Sequence, residues 1–149
     1  MNRYFIKGFR VIDDRHHNDH PVDQSLLKKA LDSTLRYEDK RDFIESRVDF
    51  GHTIALDDCV PTDKNDKIIY ITRPGRKGKT RFVIGRDPVE TSYVSVILKR
   101  EYDNDDIPYY VLVTAYYGVA PVEPWDPRST KESERFWKTH ALRIEILNQ

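Results

Sequence analysis

One histidine, in the stretch FGHT (Phe50–Thr53), stands between a helix-like segment and a long run of strand-like sequence. Its position suits three roles: a cap on a helix end, a buried hydrogen-bonding residue, or the acid–base group of a site, since imidazole titrates near neutrality. Positive charge gathers just beyond it. Between positions 64 and 86, Lys64, Lys67, Arg73, Arg76, Lys77, Lys79, Arg81 and Arg86 stand against Asp66 alone, whereas positions 13–58 hold seven Lys or Arg against twelve acids. A local field of that sign attracts a polyanion although the formal net charge of the chain is zero. A solvated hairpin tip would have the same composition.

His52, the basic stretch, and Thr114 with the tyrosines of YYVLVTAYY (109–117) are together suitable tools for metal-free phosphodiester cleavage in RNA. A base must take the proton of the ribose 2'-hydroxyl, and an acid must protonate the leaving 5'-oxygen. Cations and hydrogen-bond donors must meet the charge that grows on the nonbridging oxygens. Histidine serves either proton-transfer role, arginine offers a planar fork matched to phosphate, and a threonine or tyrosine hydroxyl adds one more donor. An exposed tyrosine or tryptophan can stack on an unpaired base. DNA cleavage fits less well, because this chemistry uses the 2'-hydroxyl and no acidic metal site is visible.

Other chemistries find less support. There is no H-E-x-x-H, no Walker-type phosphate loop and no dinucleotide fingerprint. HHNDH offers His16, His17, His20 and Asp19 as ligands for a transition metal, but it lacks a fourth well-spaced partner and reads as an exposed loop ending at Pro21. Cys59 is the only cysteine, which excludes an internal disulfide, and nothing beside it marks a lowered thiol pKa, so packing is its expected role. No cofactor and no metal are expected.

The elements that must position these residues follow from periodicity. At 149 residues the chain reads as one domain. The part over about 22–51 reads as helical: Asp23 sits as an N-cap before Leu27, Leu31 and Leu35, and DKRDFIESRVDF brings Ile44 and Val48 one turn apart, closed by Gly51. Before it, YFIKGFRVI reads as a short strand broken at Gly8. Over about 67–117 the period changes, and KIIYITR, TRFVIGR, SYVSVILKR and YYVLVTAYY read as four strands with short connections, PGRKGK forming the first. On the last, Val111, Val113 and Ala115 form the expected core side and Tyr110, Leu112, Thr114 and Tyr116 the other. A helix is expected over about 130–146, with Ser129 and Glu132 at capping-box spacing. The fold class is therefore α+β: N-terminal helices on an antiparallel meander of four strands or more, and an extra C-terminal helix. No stretch reads as a membrane span or signal peptide.

The order helix, helix, FGHTIAL, a four-stranded run and VLVTAYYG resembles the barnase–EndoU–colicin E5/D–RelE group of small ribonuclease toxin domains, over roughly Asp23 to Gly118. The versions in polymorphic, contact-dependent and phage-encoded toxins are the most similar. The resemblance implies an endoribonuclease whose catalytic set is His52, Arg73 or Arg86, and Thr114 with Tyr116. It leaves Arg73, Arg76, Lys77, Lys79 and Arg81 to bind substrate. Here the chain departs from the group by continuing for some thirty residues, which could bring His140 as a second proton-transfer group. An RNA substrate such as a tRNA loop and an acidic antitoxin or immunity protein are the implied partners. Action in a cytoplasm, after delivery within a larger secreted toxin, is the implied setting. A nucleic-acid- or protein-binding module without turnover, or a structural phage accessory protein, stays open beside this expectation.

Overall fold

A computed structural model of the chain describes residues 2–13 and 22–144, so the histidine-rich loop with His16, His17 and His20 lies outside the described residues. In chain order the elements are β1 (Asn2–Ile6), β2 (Phe9–Asp13), α1 (Gln24–Thr34), β3 (Phe43–Asp49), β4 (Ala55–Asp57), β5 (Cys59–Pro61), β6 (Lys67–Ile71), β7 (Thr80–Ile84), β8 (Val89–Thr91), β9 (Tyr93–Tyr102), β10 (Pro108–Tyr117), α2 (Lys131–Thr139) and β11 (His140–Ile144). The fold is α+β, with a helix in each of its N- and C-terminal parts and mixed antiparallel and parallel sheets. The chain divides into two compact units, Met1–Ile54 with Ser92–Val119, and Ala55–Thr91 with Ala120–Gln149.

The first unit is a five-stranded sheet in the order β1-β2-β10-β9-β3, antiparallel except where β2 runs parallel to β10. Apolar residues at four-residue spacing make α1, and Leu27, Ala30, Leu31 and Leu35 bury its stripe against Val94, Val96, Leu98, Tyr110 and Leu112 of the sheet. Each fully buried aliphatic side chain contributes roughly 1.5–3 kcal/mol by leaving water. Asp23 caps the helix as its sequence position suggests, accepting from the backbone N–H groups of Ser25 and Leu26 at 2.9 and 3.2 Å. At the other end Lys7, in the tight turn between β1 and β2, donates to the carbonyl of Leu35 at 3.1 Å.

Two expectations for this unit are corrected. The second N-terminal helix is absent: residues 43–49 form β3, paired along its whole length with β9 from Phe43↔Lys99 to Asp49↔Tyr93. Ile44 and Val48 are four apart, a spacing that places two residues on one face of a helix and equally on one face of a strand. Pairing with β9 decides it, with Ile44 and Val48 packing toward α1. Gly51 takes the expected positive φ of +78°, but in the turn that follows a strand and not a helix. On β10 the register shifts between Leu112 and Thr114, leaving Val113 as an exposed bulge. A bulge reverses the alternation beyond it, so the core side is Tyr110, Leu112 and Ala115, and not Val111, Val113 and Ala115.

The second unit holds a four-stranded sheet, β5-β11-β7-β6, and the short pair β4-β8. The expected meander is thus two hairpins in two sheets: β6–β7 here, β9–β10 in the first unit. The segment joining β7 to β9 contains β8, which pairs with β4. The C-terminal helix ends at Thr139, because residues 140–144 leave it to run parallel to β7 as β11; residues 145 and 146 lie outside the described ones. Its capping box is formed by Thr130 and Ser133, one residue beyond the Ser129–Glu132 pair that spacing suggested. The buried apolar cluster is small: Val60, Val83 and Ala141, with Ile68 packed on it.

Arginines do much of the rest in this unit. Arg73 donates to Thr80 Oγ1 at 3.1 Å and to Glu123 Oε2 at 2.8 Å. Arg81 donates to Thr62 Oγ1 at 3.0 Å and to the His140 carbonyl at 2.8 Å. Arg143 reaches the Arg86 carbonyl at 3.0 Å. Apart from the Arg73–Thr80 bond within one hairpin, these bonds tie together strands and loops far apart in sequence.

Candidate functional site

His52, Thr114 and Tyr116 belong to the first unit. On its sheet, the register aligns Arg47 with Ser95 and Ser95 with Tyr116, and aligns Glu45 with Ile97 and Ile97 with Thr114. Residues directly opposite on neighbouring strands share a face. Because Ile44 and Val48 point to α1, Glu45 and Arg47 take the other side of β3, together with Thr114 and Tyr116 beyond the bulge. Thr114 and Tyr116 therefore do share a face away from the α1 core, as their sequence positions suggested. The Arg47 guanidinium lies over the Tyr116 ring, 5.9 Å from its centroid. A long 3.6 Å ion pair joins it to Glu45. Its Nη1 is buried without a hydrogen-bond partner among the described residues.

β3 ends at Asp49, and the chain turns at once. Asp49 Oδ1 accepts from the Gly51 N–H at 2.9 Å and from the Ser92 hydroxyl at 2.7 Å, and these bonds, the serine's first, hold its carboxyl below the usual carboxylate range. His52 follows, exposed to solvent, its Nδ1 3.0 Å from the Phe50 carbonyl. A carbonyl only accepts, so Nδ1 carries the proton and Nε2 is the atom open to proton transfer. The helix-cap role falls away, since no helix precedes the residue, and so does the buried one.

Arg73, Arg76, Lys77, Lys79, Arg81 and Arg86 belong to the second unit. Arg86 binds Asp66 through two nitrogens, both at 2.7 Å, and Asp63 at 3.1 Å. That pairing raises the arginine's pKa and depresses that of Asp66. With Arg73 on Glu123 and Arg81 on a backbone carbonyl, three of the expected phosphate-binding arginines already have internal partners. Arg76, Lys77 and Lys79 differ: all are exposed, on the connection between β6 and β7, with no ion pair among the described residues.

His140, also in the second unit, stacks on Phe136 with ring centroids 4.0 Å apart and lies 3.1 Å from the Phe136 carbonyl through Nδ1. The stripe expected of these two residues is real, although His140 already begins a strand. Burial, reinforced by Asp57 and Glu123, pushes the Cys59 thiol far above its ordinary range, in keeping with its expected packing role. Among the described residues no cluster of three His, Cys, Asp or Glu could hold a metal ion, and no helix is long and apolar enough to cross a membrane.

Sequence reasoning missed Arg47 and Glu45. The signal was their alternation with Ile44 and Val48, which carries meaning only when the segment is a strand. No protein-family model, no curated protein and no solved structure matches this chain.

Proposed function

We propose that this protein is a metal-independent endoribonuclease that acts on single-stranded or looped RNA, and that it is the toxic member of a toxin–immunity or toxin–antitoxin pair. One observation carries the reading: a guanidinium, a threonine and a tyrosine share one sheet face of the first unit, and the strand that supplies the arginine runs directly into the loop of a solvent-exposed, tautomer-fixed histidine. His52 Nε2 moves the proton. Thr114 and Tyr116 are the hydroxyl donors to the phosphate, and Glu45 is the carboxylate of that face for the second proton transfer. The role first expected of Arg86 or Arg73 passes to Arg47, because those two are held by carboxylates at 2.7–2.8 Å while Arg47 is tied to Glu45 only at 3.6 Å.

Arg76, Lys77 and Lys79 form a basic patch that an acidic immunity protein or antitoxin would cover by charge complementarity. Single-turnover cleavage of total RNA tests the reading. Replacing His52 with alanine is expected to slow it by about 10²–10⁴-fold, the range for losing a general acid or base, while the circular dichroism spectrum stays that of the parent. No cleavage above background by the parent would leave a nucleic-acid-binding module without turnover, the reading that the exposed lysines of the turn favour, and equal cleavage by parent and His52→Ala would remove His52 from the mechanism.

A further inference from the structure

Within the second unit, a cleft of about 450 Å³ lies between the β6–β7 hairpin and α2. That volume is in the range of small-ligand sites, about 300–1,000 Å³. Tyr70 of β6 and Trp125 give it aromatic walls, with Trp137 at its back. Lys79, Arg81 and Lys138 bring three cations to it. Tyr70 and Arg81 are direct cross-strand partners, which puts a ring and a guanidinium side by side on one face of the hairpin. Tyr70 leaves 60% of its surface in water, although it is a large aromatic on a strand.

The walls are built rather than accidental. Trp125 packs closely on Gly78, where a Cβ would overlap the indole ring, so glycine is required there for close approach and not for its φ. The indole N–H is buried with no hydrogen-bond partner among the described residues, so packing on the hairpin, not a hydrogen bond, sets the position of the ring. Trp137 donates its own N–H to the Pro121 carbonyl at 3.1 Å. Two carboxylates also line the cleft, Glu123 and Glu134. Arg73 neutralises the first at 2.8 Å, which leaves the cations in excess. Arg76 and Lys77 continue the positive charge along the same exposed turn.

We infer that this cleft is a subsite for one nucleotide of a single-stranded RNA, its base stacked on Tyr70 and Trp125 and its flanking phosphates on Lys79 and Lys138, with Arg81, held by its internal bonds, adding positive charge behind them. Aromatic walls beside cations are how proteins hold unpaired bases and their backbone. Positive charge that runs on past the cleft suits a chain of phosphates better than an isolated nucleotide. The inference deepens the RNA reading and rests on it, but the cleft and His52 fail or stand separately.

The chain has two tryptophans, Trp125 and Trp137, and both line this cleft, so tryptophan emission, excited at the red edge where tyrosine does not absorb, reports on it. Titrating the His52→Ala variant with an eight-nucleotide oligouridylate is expected to quench that fluorescence saturably. Tyr70→Ala in the same background, an exposed change that leaves the fold in place, is expected to weaken the quench-derived affinity by about fivefold or more, the lower bound for losing a stacked base. Lys79→Ala is expected to lessen the salt dependence by about 0.7 in log K against log salt. An unquenched signal, or quenching that Tyr70→Ala and Lys79→Ala leave unaltered, overturns the subsite. If RNA is cleaved and that holds, the subsite falls and the ribonuclease stands; if quenching follows the expected pattern and the parent cleaves nothing, the reverse holds.

Discussion

The two units are held together by different physics. The first has a broad apolar core in which α1 covers a five-stranded sheet, with polar bonds added at its caps and turns and by Arg100, which reaches the Asp39 carbonyl at 2.6 Å. Among the described residues of the second, the buried apolar cluster is just Val60, Val83 and Ala141, and several arginines cross-link its strands and loops. A run of basic residues is therefore two populations. Arg73, Arg81 and Arg86 hold the second unit together, while Arg76, Lys77 and Lys79 are exposed on its turn. Counting positive charge along the sequence does not tell them apart, but asking which of them has a carboxylate or carbonyl within reach does.

Substitutions that break this contrast can be ordered by size. Leu112→Ala, at a position 1% exposed in the core of the first unit, is expected to cost about 2–5 kcal/mol in urea denaturation. Arg73→Ala should cost the second unit about 1–3 kcal/mol, the penalty for stranding the nearly buried carboxylate of Glu123. A companion Glu123→Gln change should recover part of that loss, since it removes the stranded charge. If Arg73→Ala proved neutral, the cross-linking account of the second unit would be wrong. Asp23→Ala removes the α1 cap and should cost about 1 kcal/mol, within the usual range for capping residues.

Acid sharpens the comparison further. The folded-state pKa of Asp66 is depressed by Arg86, so its contribution is complete above the ordinary aspartate value of about 3.9 and is lost as pH falls through the lower folded value. Asp66→Asn should flatten the acid limb of the stability–pH curve below about pH 4. Asp57 has the opposite sign. Burial, with Asp58 adding to it, raises its pKa, so its cost to the folded state sets in as pH rises past the ordinary aspartate value and is complete above the raised one. Asp57→Asn keeps an oxygen for the Cys59 N–H, 2.9 Å away, and should leave stability at neutral pH unchanged or slightly higher.

Much of this architecture was legible in the sequence, and the rest was hidden for identifiable reasons. Asp23, the leucine stripe of α1, the β9 and β10 strands and the glycine-bearing β6–β7 connection follow from local pattern alone. β3 was hidden because Ile44 and Val48 satisfy both periods, and its pairing with β9 is non-local. The bulge at Val113 leaves no mark in a run of apolar and aromatic residues, yet it decides which side chains of β10 face the core. β11 begins one turn after Phe136 on an uninterrupted helical stripe, and only its pairing with β5 and β7 explains the change. Among the candidate site residues, His52, Thr114 and Tyr116 could be picked by type. Arg47 could not, since its value depends on a register that no local pattern specifies.

Cleavage itself is the claim most open to direct test. Purified protein incubated with total RNA in excess EDTA, with the new 3' ends mapped, should yield fragments bearing a 2',3'-cyclic phosphate, and His52→Ala should yield none above background. Cleavage that stops when EDTA is added, or 3'-hydroxyl ends from parent and variant alike, would contradict the account.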